Sequence, residues 1–214
     1  MPTQDFSRFR RHFPSLPFVI IAIIAIATLV GAIVYAGIYN IGADSPHWRM
    51  TYMGLEQVRE RAIAHHARDI VPPRDLGGAE RVALGAGLYK EMCTGCHLGP
   101  GMEKTELSQG LYPPAPEFTS ASPRSAQQQF WIIKHGVKFS AMPAWGVTHN
   151  DDLIWDMVSF IRALPKMTRE QYEAALASAP QDHDEMMKDM PGMVGTPHKD
   201  EPVNAEKAPH SHAN

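Results

Sequence analysis

The chain has 214 residues, with 20 Lys plus Arg against 23 Asp plus Glu, a formal charge of −3 and two cysteines. That length holds one modest domain with additions, and the near-balance of charge leaves no basic face able to neutralise a run of phosphates, which argues against nucleic acid as a partner. Two cysteines cannot build a multi-bridge scaffold. The charge is unevenly placed: residues 1–43 carry three Arg and one Asp, residues 80–165 seven basic and eight acidic groups, and residues 166–214 five basic and nine acidic groups.

Reading in chain order, residues 1–16 form a basic N-terminus, and from Leu16 to Ala43 no residue is charged. At about 1.5 Å per helical residue, the apolar run from Phe18 to Tyr39 reaches roughly 33 Å, enough for a hydrocarbon core of about 30 Å. A transmembrane helix is expected over 17–40. Arg8, Arg10 and Arg11 precede it and Asp44 follows, so the positive-inside rule puts the N-terminus in the cytoplasm and the rest of the chain outside, with Tyr35, Tyr39 and Trp48 at the outer interface. A cleavable leader has the same order of charges, and Ile41-Gly42-Ala43 resembles a weak cleavage site; the apolar core is long for a leader, which favours a retained anchor. Arg10-Arg11 followed by Phe13 also faintly resembles a twin-arginine export signal.

Residues 41–79 read as a linker with one amphipathic helix over 51–69, its stripe made of Leu55, Val58, Ala62 and Ile63. Pro72 and Pro73 stop it, and Asp75-Leu76-Gly77-Gly78 turns the chain into the next domain. His65 and His66 on this helix are read as solvated surface.

Both cysteines fall in Cys93-Thr94-Gly95-Cys96-His97. A CxxC pair serves as half a zinc site, as a redox dithiol, or as a haem attachment site. No second CxxC or close His pair follows to complete a zinc site, and the preceding run is helical without the βαβ alternation that a thioredoxin-like dithiol needs. Covalent haem accounts for all five positions: two thiols join the two vinyl groups and the adjacent imidazole lies under the iron. A sixth ligand is then sought downstream. Met142 stands in Ser140-Ala141-Met142-Pro143-Ala144-Trp145-Gly146, a stretch without helical period in which Pro143 stiffens the backbone beside the thioether. His135 and His149 flank the same loop and are alternatives. Met92 and Met157 read as core filler.

At this point residues 80–165 resemble the monohaem class I cytochrome c family. The family crosses its first helix over its last, with a Gly eight positions before the first haem Cys and an aromatic four before it, and Gly85 and Tyr89 occupy those places. On the closing helix Ile154, Met157, Val158 and Ile161 recur at helical spacing, with Phe160 facing Gly85 and Pro165 just beyond the end. The resemblance implies a proline carbonyl on the proximal imidazole; Pro116, with Phe118 as a haem-packing residue, matches best by spacing, and Pro113 and Pro114 are alternatives. Trp131 and Trp145 are candidates for the haem crevice, whereas Trp155 reads as core. The helix of 51–69 is similar to an extension that some membrane-bound bacterial cytochromes carry, expected to hold the haem domain near the bilayer or dock on a neighbour.

After Pro165, Thr168-Arg169-Glu170-Gln171 has capping-box spacing and opens a short helix within 166–180. Residues 181–214 form an acidic Met- and His-rich tail too polar to fold alone, and Met187, Met190 and Met193 beside Met186, with His183 and His198, suggest a Cu(I) site on soft thioether sulfur.

The expected fold class is therefore all-α: a class I cytochrome c domain behind one N-terminal transmembrane helix, with a disordered C-terminal tail. The expected cofactor is one covalent haem c, bound through Cys93, Cys96, His97 and Met142 with Pro116 and Trp145 beside it. The function this implies is single-electron transfer by a chain that is not itself an enzyme. It would be a single-pass protein of the bacterial inner membrane with its haem domain in the periplasm. Its partners would be the membrane and redox proteins such as a terminal oxidase, a quinol-oxidising complex or a periplasmic dehydrogenase. A haem sensor or peroxidase with an open sixth site, and a copper-handling protein acting through the tail, are the alternatives.

Overall fold

The computed structural model describes residues 15–179, and among them every regular element is a helix, the class expected from sequence. In chain order the α-helices are α1 (Leu16–Tyr35), α2 (Arg49–Ala67), α3 (Ala79–Met92), α4 (Thr94–His97), α5 (Glu106–Gln109), α6 (Ala126–His135), α7 (Asp151–Ala163) and α8 (Arg169–Ser178), with 3-10 turns at Trp145–Val147 and Leu164–Lys166. The chain forms two compact units, residues 1–52 and residues 53–214. Arg8, Arg10 and Arg11, and all the Met and His residues of the proposed copper tail, lie outside the described residues.

In the first unit, α1 is a 20-residue helix with a mean hydropathy of 2.8 and no buried residue. At about 1.5 Å per residue it is roughly 30 Å long, so it is long and apolar enough to cross a membrane. It ends earlier than the expected 17–40 because Gly37, at φ 62°, closes it: Gly37 N–H donates to the Val34 carbonyl (3.1 Å) and Ile38 N–H to the Ile33 carbonyl (3.3 Å), the Schellman pattern. Beyond the cap, the Tyr39 hydroxyl is hydrogen-bonded to His47 Nδ1 at 2.8 Å and the Tyr39 ring meets Trp48 edge-on at 4.9 Å.

In the second unit the core sits where α3 crosses α7. Nine consecutive residues of α7, Leu153 to Ile161, are buried. The helix is opened by Asn150, whose side chain accepts from Leu153 N–H, and carries Asp151 and Asp152 in its first turn and Arg162 in its last, as the helix dipole favours. Gly85 makes the crossing possible: a Cβ there would overlap the Asp156 carbonyl and the Phe160 side chain, so the two backbones approach closely only because Gly85 has none. Tyr89 and Phe160 fill the space below, ring centroids 5.3 Å apart, and Trp155 stacks on Phe130 of α6 at 4.2 Å, the core role expected for it.

One charged group is built into this join. Arg81 of α3 donates to Asp156 (2.7 Å) and Asp152 (3.3 Å) of α7 and to Asp75 (2.8 Å) before α3. Burial pushes the Asp156 carboxyl up to about 6, and Arg81 pulls in the other direction.

The docking of α2 departs from the expected stripe. Ile63 and Ala67 are its only buried residues, while Leu55 is 39% and Val58 68% exposed. What fixes the C-terminal turns is a partner that periodicity alone does not reveal: Arg124, just before α6, donates to both carboxylate oxygens of Glu60 (2.9 and 2.6 Å), and the His66 ring lies flat on Trp131 of α6 at 5.6 Å. His66 is exposed, as expected for a surface residue, with one face of its ring on Trp131, which is half-buried.

Candidate haem site

The CxxCH motif is presented by the C-terminal end of α3 and the single turn of α4. Cys93 caps α3, its N–H donating to the Tyr89 carbonyl at 2.9 Å, and the His97 amide returns to the Cys93 carbonyl at 2.9 Å. The turn sets both thiols and the imidazole within five residues of one backbone turn, the spacing that thioether attachment requires. Cys93 is buried and Cys96 half-buried. Burial, helped by the neighbouring Cys96, pushes the Cys93 thiol up to about 12.

Pro116 is the proline that meets His97: its carbonyl lies 2.8 Å from His97 Nδ1. A carbonyl only accepts, so Nδ1 carries the proton and Nε2 keeps its lone pair. Burial holds the imidazole below its ordinary pKa, with the Pro116 carbonyl pulling upward, so the ring is neutral near pH 7. The Phe118 ring stacks on His97 at 4.8 Å and a 20° tilt, which fixes the ring plane.

Met142 is held by its own backbone. Ser140 Oγ accepts from Met142 N–H (3.2 Å) and donates to the Val137 carbonyl (2.7 Å), and Val137 N–H donates to the Met142 carbonyl (3.1 Å). The loop lies against the end of α6, where Gly136, at φ 65°, leaves no room for a Cβ beside Met142 and Pro143. Both the Met142 and Trp145 side chains are half-buried against the core, with Trp145 edge-on to His149 at 5.6 Å. Of the alternative ligands, His135 is exposed at the end of α6, tilted against Trp131, and His149 is buried with Nδ1 2.8 Å from the Thr148 hydroxyl.

The donor set fits a covalent haem: two thiols one turn apart, a neutral imidazole with Nε2 available, and a thioether on a pinned loop. Sequence reasoning missed two supports of the motif. Thr105, which caps α5, donates to the Gly95 carbonyl inside the motif at 2.6 Å. Tyr172 of α8 reaches the motif from the far end of the domain; its only sequence signal was a pair of glycines, Gly99 and Gly101, just after His97.

An all-helical domain in which the first helix crosses the last on a glycine and leads into CxxCH is a c-type cytochrome domain. Residues 80–161 match the family described as Cytochrome C oxidase, cbb3-type, subunit III. No curated protein and no solved structure is a match to the chain.

Proposed function

We propose that the protein is a membrane-tethered c-type cytochrome that carries single electrons. Haem, if bound here, would supply a ferric/ferrous couple; Cys93 and Cys96 would attach it, and His97 Nε2 and the Met142 thioether would ligate its iron. Pro116 keeps the His97 proton on Nδ1 and raises the basicity of Nε2, and Phe118 fixes the ring plane. A thioether ligand favours the ferrous state and raises the potential. Trp145 shields the Met142 side of the site. With both iron ligands drawn from the chain, no open position would be left for a substrate, which would set a carrier apart from a sensor or peroxidase. The observation that carries this reading is the pairing of an oriented imidazole, His97 Nδ1 to the Pro116 carbonyl at 2.8 Å, with a methionine pinned at both backbone N–H and carbonyl.

In this reading α1 is a retained anchor in the bacterial inner membrane, and the haem domain works in the periplasm. The likeness of residues 80–161 to an oxidase subunit favours a terminal oxidase as the electron acceptor, ahead of a periplasmic dehydrogenase, and a quinol-oxidising complex as the donor. The test is Met142→Ala in the full-length haem-loaded protein. The variant should keep covalent haem, lose the sulfur-to-iron charge-transfer band of the ferric state and bind carbon monoxide once reduced. A variant that stays low-spin at an unchanged potential and refuses carbon monoxide overturns the ligand assignment. Wild type that already binds carbon monoxide supports the open-site alternative.

A further inference from the structure

Outside the stretch that resembles the oxidase subunit, α8 packs Tyr172, Ala175 and Leu176 against the domain, and of these Tyr172 is the one fully buried. Tyr172 is 2% exposed and is the largest side chain that this helix buries. Its ring covers Gly99, where a Cβ would overlap it, and a Cβ on Gly101 would meet the Arg169 side chain of the same helix at 2.9 Å. The Tyr172 hydroxyl lies 3.3 Å from Thr94 Oγ1, between the two cysteines.

The direction of that bond follows from proton count. Thr94 Oγ1 donates its single proton to the Tyr89 carbonyl at 3.0 Å, so toward Tyr172 it accepts and Tyr172 donates. The Tyr89 hydroxyl in turn donates to the Leu98 carbonyl at 2.6 Å. Tyr172 is thus tied through Thr94 to the start of the attachment turn, before Cys96, and Tyr89, which accepts from Thr94 at its carbonyl, separately holds the turn after His97 with its hydroxyl. The turn needs such support, because Leu98 adopts φ 58° and ψ −170°, a backbone region costly for a side-chain-bearing residue.

We propose that Tyr172 is a positioning residue for the haem, holding the attachment turn, and with it the proximal His97, through Thr94. This rests on reading Cys93 to His97 as the attachment segment. α8 is then a working part of the haem site.

The test is native-state amide exchange with the midpoint potential measured alongside, on the full-length haem-loaded protein in detergent. Tyr172→Phe keeps the ring over Gly99 and removes only the donor. It should speed exchange of the His97 and Leu98 amides about three- to tenfold, the range for losing one hydrogen bond, shift the potential, and leave the interior amides of α3 and α7 unchanged. Thr94→Ser, which keeps the hydroxyl, should behave as wild type. In a Thr94→Val background, adding Tyr172→Phe should change nothing further. Unchanged exchange at His97 and Leu98 in Tyr172→Phe, or equal acceleration throughout α3 and α7, overturns the proposal and leaves Tyr172 as core filler. Exchange needs no redox partner, so that negative result would not touch the carrier reading, and carbon monoxide binding by wild type would not touch this one.

Discussion

Two joins in the second unit are each held by an arginine, and they differ in what surrounds it. Where α3 meets α7, the Arg81 side chain is 16% exposed and its partner Asp156 4%. Where α2 meets the start of α6, Arg124 is 27% exposed and Glu60 42%. The second pair has the shorter contact, 2.6 Å against 2.7 Å. Distance therefore does not rank them. A charge pair open to water is screened and contributes at most about 1 kcal/mol, whereas removing one member of a buried pair strands the other without solvent. The inner join is fixed by backbone contact at Gly85 and by an ion pair that neither partner can leave. The outer join rests on Ile63, Ala67 and one stacked ring pair, and is the weaker of the two.

Arg81→Met should break the inner join at a cost of about 3–5 kcal/mol at neutral pH, because Asp156 is left buried and unpaired. The cost should depend on pH. Asp156 titrates higher in the fold, at about 6, than the ordinary 3.8, so its protonated form is the one the fold prefers. Its contribution is most favourable below about pH 4 and declines as pH rises through about 6. Without Arg81 the carboxyl rises further, so thermal melts of the variant should recover toward wild type between pH 8 and pH 5, and adding Asp156→Asn should flatten the profile. A pH-independent loss would mean that Arg81 acts through packing alone.

Ile63→Ala should cost about 2–4 kcal/mol, the usual range for emptying a buried aliphatic site. If the outer join is separable, the loss is local: α2 amides exchange faster while the melting of α3 and α7 is unmoved. A fall in the global transition of the same size would make α2 part of the core. The smallest effect belongs to Glu60→Gln, under about 1 kcal/mol and vanishing in molar salt. A larger, salt-insensitive loss would put the Glu60–Arg124 pair in the same class as Arg81–Asp156.

The inner join was legible in the sequence because it repeats a rule of helix crossing. Gly85, Phe160 and the period of Ile154, Met157, Val158 and Ile161 marked both helices and the face they share. The proline beside His97 was legible only in part: the family resemblance and spacing favoured Pro116 with Pro113 and Pro114 open, and it is the Pro116 carbonyl that meets Nδ1. The outer join was not. Leu55 and Val58 share the helical period of Ile63, and period says which residues lie on one face without saying which turns of that face find a neighbour. Tyr172 escaped for a related reason: the capping box at Thr168 and Gln171 announced α8, and both halves of the box are present, but the short stripe of Tyr172, Ala175, Leu176 and Ala179 does not say which neighbour it meets. Its partner is the space left by Gly99, and a glycine in the sequence does not say which side chain fills that space.

Leu98 shows how backbone preference and side-chain demand can pull one position in opposite directions. A designer guided by dihedral angles would place glycine there and recover about 1–3 kcal/mol of backbone strain. The leucine side chain, 4% exposed, would then be missing from the core, which gives back a comparable amount, about 2 kcal/mol. Glycine would also widen the ensemble of the unfolded chain and so favour disorder at the residue next to His97. The substitution is close to neutral in total free energy and unfavourable in where that energy is held. Leucine keeps the strain and the anchor on the same residue, so the turn cannot relax its backbone without also withdrawing a side chain from the interior.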